Sequence, residues 1–409
     1  MKKLLALLII VFGIHAALAA QTNSIAHSVM SQTNIDSLTN VVRILSGEAQ
    51  VIINGTETKI YSRYAENPGN DLAANYLHAK LEEYGLEVTD QYFSITGRNV
   101  LGKQCGTVYP DKIFIISAHY DSMPNYSISP GADDNASGCA AVIEAARIIS
   151  ECQTDYTIIY ALFDNEESGM LGSMYYAAYA KTNNLDIMGV INLDMIGFGY
   201  DRDAVANIHT TIRQECMTMA NKMVEINNTY GLNLALEIYN PGTERSDHWS
   251  FIQYGYPALL LIEDLEGGDL NGKYHSVDDK LQYFEIEYYH SMSRTAIGTL
   301  AELIINTTIA DIGVAEPVLT KFSLMQNYPN PFNPSTTINY IVADGANVSI
   351  KLYDIPDNET TTLLDEYKTA GNYSITVDTG ELGSTSSGVY FYTMRAGNTA
   401  ITKKMLFLK

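Results

Sequence analysis

The sequence predicts an α/β domain, a mostly parallel or mixed sheet covered by helices, followed by a small all-β sandwich. Three observations predict it. Continuous apolar runs alternate with helical stretches between about residues 23 and 309, the pattern of strands buried on both faces by helices. A proline-rich segment then interrupts the pattern, with three prolines between Pro329 and Pro334. Beyond it come only short alternating runs separated by Gly, Asp and Asn turns, which is the texture of a sandwich.

In chain order, Lys2 and Lys3 precede the apolar stretch Leu4–Ile14, and Ala16, Ala17, Ala19 and Ala20 follow. That layout predicts a secretory signal peptide over residues 1–20, processed after Ala19 or Ala20. No other stretch approaches the roughly 18 apolar residues of a membrane span, so no transmembrane helix is expected in the mature chain. In an exported protein the four cysteines, Cys105, Cys139, Cys152 and Cys216, allow up to two disulfides in three pairings. Cys139, in a helical stretch, reads equally well as a buried thiol.

Residues 21–309 form the predicted α/β domain. Ile113–Ala118, Tyr156–Phe163, Met188–Leu193 and Ala258–Ile262 are its strands. Leu72–Tyr84, Gly138–Ser150, Met170–Lys181, Thr211–Asn228 and Tyr283–Asn306 are its helices. A linker over 310–320 leads to the sandwich at 321–409, with strands at Thr337–Val342, Asn347–Tyr353, Tyr373–Val377 and Val389–Met394.

Charge separates the two parts. The chain has 25 Lys and Arg against 47 Asp and Glu, a formal net charge of −22. Residues 321–409 are nearly balanced, with 7 basic and 8 acidic side chains, so the acidity belongs to the α/β part. Such a surface repels phosphate backbones and excludes nucleic acid as a partner. It does supply ligands for hard or borderline cations.

The chemistry-bearing residues follow apolar strands. His119-Tyr-Asp121 ends the first, and Asp133-Asp134 precedes a helix. Glu166-Glu167 follows the second strand, Asp194 ends the third, and His275 lies further on. Singly, each has an ordinary explanation: a hydrogen-bonded histidine, a solvated acidic pair, or helix capping. Jointly, strands that each end in Asp, Glu or His direct these groups to one sheet edge. Unpaired carboxylates gathered there repel one another unless cations neutralise them.

In order, His119-Tyr-Asp121, Gly131-Ala-Asp-Asp134-Asn-Ala-Ser-Gly138, Glu166-Glu167-Ser-Gly, Asn192-Leu-Asp194-Met and Tyr274-His275-Ser resemble the motifs of M28-type zinc aminopeptidases, with Ser246-Asp247-His248 as a further element. The resemblance spans roughly residues 70–306 and implies a zinc exopeptidase-like fold acting on peptide substrates. It implies two Zn2+ ions bridged by Asp134, one completed by His119 and Asp194, the other by Glu167 and His275. Glu166 would be the general base, and Asp121 would fix the ring of His119. Met195, Leu260 and Ile262 match an apolar side-chain pocket, and Trp249 and Phe251 are further candidates for it. One departure concerns the oxyanion: some relatives place a Tyr shortly before Ser-Asp-His. Asn240–Ser246 has none here, which leaves Tyr239 or Arg245 as substitutes. Glutaminyl-peptide cyclotransferase, which cyclises with one zinc, and a non-catalytic peptide-binding module are the alternative readings.

Gln326-Asn-Tyr-Pro-Asn-Pro-Phe-Asn-Pro-Ser-Thr336, Gly388-Val-Tyr-Phe-Tyr392 and Lys403-Lys-Met-Leu-Phe-Leu-Lys409 resemble a type IX secretion (Por) type A sorting domain. This implies the type IX machinery as a partner and a secreted or cell-surface location on a Gram-negative bacterium. The acidic run Glu263–Asp269 is a further candidate as a calcium loop, although its spacing does not match an EF-hand.

Overall fold

Helices α1 (Ser24–Ser31) and α2 (Ile35–Leu45) open the described chain, followed by a hairpin of β1 (Val51–Ile53) and β2 (Thr56–Thr58). The structure is a computed structural model. It describes residues 24–199 and 203–305, and, towards the C-terminus, 322–324, 327, 330–343, 345–353, 359–369, 371–378, 387–397 and 399–407. The predicted signal peptide and linker lie outside the described residues. The chain divides into two units, one of Ile25–Asn306 and one that includes Thr307–Lys409.

Local signals explain where the first helices begin. The Asn34 side chain accepts the N–H groups of Asp36 and Ser37 at the start of α2. Helix α3 (Pro68–Glu83) begins with proline behind Asn67, whose side chain accepts the Gly69 N–H. Both arrangements satisfy donors that a helix start leaves unpaired. Strands β3 (Glu87–Tyr92), β4 (Arg98–Gln104) and β5 (Tyr109–His119) follow, then a buried turn at Ala132–Ser137 that runs into α4 (Gly138–Ile149). Next come β6 (Tyr156–Phe163), α5 (Leu171–Thr182), β7 (Asp186–Leu193), β8 (Val205–His209), α6 (Gln214–Tyr230), β9 (Ala235–Tyr239), α7 (His248–Gln253), β10 (Ala258–Glu263) and α8 (Ile286–Ile304).

These strands make one eight-stranded mixed sheet in the order β3-β4-β6-β5-β7-β10-β8-β9. The four central strands, β6, β5, β7 and β10, are mutually parallel and correspond to the four apolar runs. All eight residues of β6 and all six of β10 are buried. Each large aliphatic side chain held this way contributes roughly 1.5–3 kcal/mol relative to exposure. Strand β5 has β6 on one side and β7 on the other, so the β5–β6 and β6–β7 connections run in opposite directions along the sheet. Such a switch point opens a crevice at the carboxyl ends of the strands. The register brings those ends level: His119 pairs with Phe163, and Ser117 with Asn192.

Strands β3, β4, β8 and β9 were not expected from the sequence. They flank the sheet, and β3, β4 and β9 carry polar residues along their length, so no continuous apolar run marks them. The cysteines are all free thiols. Cys139 and Cys216 are buried, and the Cys139 thiol donates to the His119 carbonyl oxygen at 3.0 Å.

The second unit is all β. One sheet has the order β11-β12-β15 (Ser323–Leu324, Ser335–Val342, Gly371–Asp378). The other has the order β14-β13-β16-β17 (Glu359–Lys368, Ala346–Tyr353, Gly388–Ala396, Thr399–Phe407). Val348, Ile350 and Leu352 of β13 alternate inward and share a core with Ile338, Tyr340, Tyr392 and Met405, as the period of two requires. Strands β14 and β17 were not expected from the sequence.

Candidate metal centre

The carboxyl ends of β5, β6 and β7 deliver His119, the Glu166-Glu167 loop and Asp194 to one crevice. The turn before α4 brings Asp134, and the loop before α8 brings His275. Two groups of three potential ligands result. His119, Asp134 and Asp194 have ligand atoms all within 4.8 Å of one another, as do Asp134, Glu167 and His275. Asp134 belongs to both. Its Oδ1 lies 3.2 Å from His119 Nε2, and its Oδ2 lies 3.2 Å from His275 Nε2. His119 Nε2 is 3.4 Å from Asp194 Oδ1, and His275 Nε2 is 2.8 Å from Glu167 Oε2. Among the described residues, no other group of His, Cys, Asp and Glu converges in this way. Asp264 of the acidic run instead folds its own loop, accepting from Asn207 Nδ2 and the Gly267 N–H.

The donor set suits zinc, which takes imidazole nitrogen and carboxylate oxygen. Asp134 Oδ2, Glu167 Oε1 and His275 Nε2 are buried and make no hydrogen bond. Asp134 Oδ2 and His275 Nε2 lie only 3.2 Å apart without a hydrogen bond. Buried polar atoms are ordinarily paired, and unpaired donors of these types converging on one point suit a cation. Burial opposes charge on His275, but Asp134 and Glu167 outweigh it and raise its pKa to about 10. Burial raises Glu167 to about 8 and Asp247 to about 7, and holds Glu166 well above the usual carboxylate range. Burial disfavours the charged form of each, and neighbouring carboxylates, Asp121 among them, add to it.

Neighbouring groups hold each potential ligand in place. Asp121 accepts the backbone N–H of Glu166 and of Glu167, both at 3.1 Å, and its Oδ1 lies 3.3 Å from His119 Nδ1. A relay of hydroxyl and amide groups reaches Asp194: Ser117 donates to Asn192, Asn192 to Ser246, and Ser246 Oγ to Asp194 Oδ2 at 2.7 Å. Asp279 Oδ2 accepts the Asp134 N–H at 3.0 Å, and Asp279 also accepts the Asp133 N–H. It therefore ties the loop of His275 to the loop of Asp134. Arg63, fully buried, donates to the carbonyls of Tyr120, Leu45, Pro130 and Gly131 at 2.6–2.8 Å. Gly131 has φ +49, and a Cβ there would sit 2.3 Å from the Asp134 carbonyl oxygen, so only glycine fits. Met195 and His275 also have positive φ, at 48 and 53, a conformation that costs non-glycine residues of order 1 kcal/mol.

The crevice opens into a cleft whose empty space, open solvent included, is about 520 Å³. Its floor carries Asp134, Glu166, Glu167 and Asp194. Met195, Leu260 and Ile262 form an apolar wall that is buried separately from the main core, with Leu265 and Leu270 packed against it. Phe251 belongs instead to the core, against Phe163 and Tyr176, and Trp249 does not line the cleft. The Tyr239 hydroxyl donates to Glu237, whereas Arg245 and Tyr274 do line the cleft.

Residues 99–300 match the description "Peptidase family M28", and residues 326–407 match "Secretion system C-terminal sorting domain". The larger unit contains a peptidase family M28 domain. A probable zinc metalloprotease of Pyrenophora teres f. teres is 29% identical over 253 residues, 52% of this chain and 52% of that protein. Aminopeptidase YwaD of Bacillus subtilis is 27% identical over 258 residues, 59% of this chain and 54% of that protein. The chain thus spans about half the length of these curated relatives. The LapA aminopeptidase of Legionella pneumophila shares the fold at a TM-score of 0.59 and 20% identity, over 69% of this chain and 74% of that one. Glutaminyl cyclase of Bacteroides thetaiotaomicron shares it at 0.55 and 21% identity, over 68% of this chain and 99% of that one.

Within the larger unit, sequence reasoning missed Arg63, Asp279 and the contribution of Tyr274. Of the two acids after His275, Asp278 is exposed and Asp279 is buried, a distinction that no local pattern makes. Tyr274 stacks on His275 with ring centroids 3.6 Å apart, and its position beside that histidine was the available signal.

Proposed function

We propose that the chain is an exported aminopeptidase that removes single residues from the N-termini of peptides at a centre holding two zinc ions. His119, Asp134 and Asp194 would hold one ion, and Asp134, Glu167 and His275 the other. The observation that carries this reading is the pair of Asp134 oxygens, each facing a different imidazole at 3.2 Å. When bound, the ions supply Lewis acidity toward the scissile carbonyl and make water a nucleophile near neutral pH.

The chain's own residues do the rest. The carboxylates of the floor attract the substrate's α-ammonium group. The first side chain rests against Met195, Leu260 and Ile262, which favours large apolar residues. Glu166 stands outside both ligand trios, so its carboxylate is free to take a proton from the attacking water and pass it to the departing amine. Asp121 fixes the Glu166-Glu167 backbone through two hydrogen bonds and faces the far nitrogen of His119, as imidazole ligands require. Burial pushes the Tyr274 phenol up and keeps it protonated, so it is a donor for the oxyanion as well as a wall of the cleft.

A cyclase-like acyl transfer has the fold of the solved glutaminyl cyclase in its favour. Two trios sharing Asp134 favour hydrolysis. The C-terminal unit carries the export signal, with the type IX machinery of a Gram-negative bacterium as its partner and the cell surface or medium as its destination.

The test is a panel of leucyl, methionyl and glutaminyl peptides assayed with wild type and Glu166→Gln. The reading predicts release of free amino acid and, for the variant, at least a 100-fold fall in kcat with zinc content unchanged, as removal of a general base entails. Pyroglutamyl product without hydrolysis, or full activity in Glu166→Gln, contradicts it.

A further inference from the structure

Arg245 is out of keeping with its surroundings. The chain has 25 basic residues against 47 acidic ones, and the floor of the cleft is four carboxylates, yet an arginine lines the same cleft. It is exposed and makes no hydrogen bond or ion pair with the described residues. Its backbone is nevertheless fixed. The Gly242 N–H donates to the Thr210 carbonyl at 2.9 Å, and the Thr243 N–H to His209 Nδ1 at 3.0 Å. The next residue, Ser246, is buried and donates to Asp194 at 2.7 Å. The guanidinium therefore starts one peptide away from a partner of a ligand residue, and it also acts electrostatically on Tyr274, on the His275 side of the cleft. A permanent cation that lines a cleft with no partner among the described residues is open to an external anion. Guanidinium matches carboxylate geometry in particular.

What that anion is follows from how a peptide fills the cleft, and this step rests on the aminopeptidase reading above. The floor takes the α-ammonium group, which Arg245 repels, and the apolar wall takes the first side chain. The part of a substrate left for Arg245 lies beyond the scissile bond. We propose that Arg245 reads a carboxylate on the residue following the scissile bond, so that the preferred substrates are dipeptides, or peptides whose second residue is acidic. Both sources present the same group, a carboxylate one residue downstream.

The experiment compares Leu-Gly, Leu-Gly-amide and Leu-Asp-amide with the full-length zinc-loaded enzyme, its Arg245→Gln variant and its Arg245→Lys variant. Zinc content and thermal unfolding are measured for each. The wild type is expected to show a KM about tenfold lower for at least one of the two carboxylate-bearing substrates than for Leu-Gly-amide, an advantage that shrinks with added salt. A gain confined to Leu-Gly identifies the terminal carboxylate as the source, and one confined to Leu-Asp-amide identifies the side chain. Arg245→Gln should lose the discrimination, its KM for the carboxylate-bearing substrates rising to that for Leu-Gly-amide with zinc content unchanged, and Arg245→Lys should recover part of it. Equal KM values across the three substrates in the wild type would overturn the proposal. So would an equal fall in kcat for all three in Arg245→Gln, which would make Arg245 an oxyanion donor. Absence of hydrolysis of any substrate by the wild type would overturn the aminopeptidase reading itself, a result distinguishable from both.

Discussion

Arg63 places a permanent cation beside a group of carboxylates without forming an ion pair with any of them. The four hydrogen bonds of its guanidinium all end on backbone carbonyls, three of them in the segments that carry His119 and Asp134. Gly131 would still accept the Ala136 N–H, but removing the guanidinium would take the partner from the carbonyls of Tyr120, Leu45 and Pro130, at about 1–3 kcal/mol for each unsatisfied group. Arg63→Met is therefore expected to lower unfolding stability by at least about 3 kcal/mol in chemical denaturation. Arg63→Lys should recover only part, because an ammonium cannot span the same fork of acceptors. A loss below 1 kcal/mol in Arg63→Met would contradict this assignment. At this scale the sequence was informative about the groups facing the centre and silent about those behind them. His119, Asp121, Glu166, Glu167 and Asp194 sit in compact motifs next to strand ends, Asp134 in the turn before α4 and His275 in the loop before α8. Arg63 and Asp279 reach the segments of His119 and Asp134 across 57 to 146 positions, and no local pattern encodes such pairings.

Among the elements, the four buried parallel strands were legible because burial on both faces demands continuous apolar runs. The flanking strands were not, since β3 and β9 alternate and β4 mixes Arg, Asn, Gly and Lys with its apolar residues. Helix α7 shows how a short element is fixed by polar burial rather than by periodicity. His248 at its start is fully buried, and its Nε2–H donates to the Thr243 carbonyl at 3.0 Å. Burial lowers its pKa to about 3. The folded state thus holds this imidazole neutral while the unfolded chain protonates it below about pH 6.5, so its contribution is intact above pH 6.5 and is lost as pH falls toward 3. Between pH 6.5 and 4.5 the wild type should lose about 2–3 kcal/mol more stability than His248→Gln, which keeps the amide donor but not the titration. Parallel losses in urea denaturation of the two proteins at both pH values would contradict the assignment.

For the molecule as a whole, charge and architecture agree. The acidic excess lies in the part of the chain that holds the centre, and the balanced part folds into a separate sandwich with its own core. Composition could announce an excess of carboxylates but not their convergence, which depends on β5 lying between β6 and β7 with their carboxyl ends level. Ions that bind only the folded state add stability by mass action, so chelation should lower the unfolding temperature of the wild type. The most direct test of the account counts zinc per chain in purified wild type and in Asp134→Ala. The shared carboxylate predicts two zinc ions in the wild type and fewer than one in Asp134→Ala, whereas a single ion in the wild type that survives the substitution would contradict it.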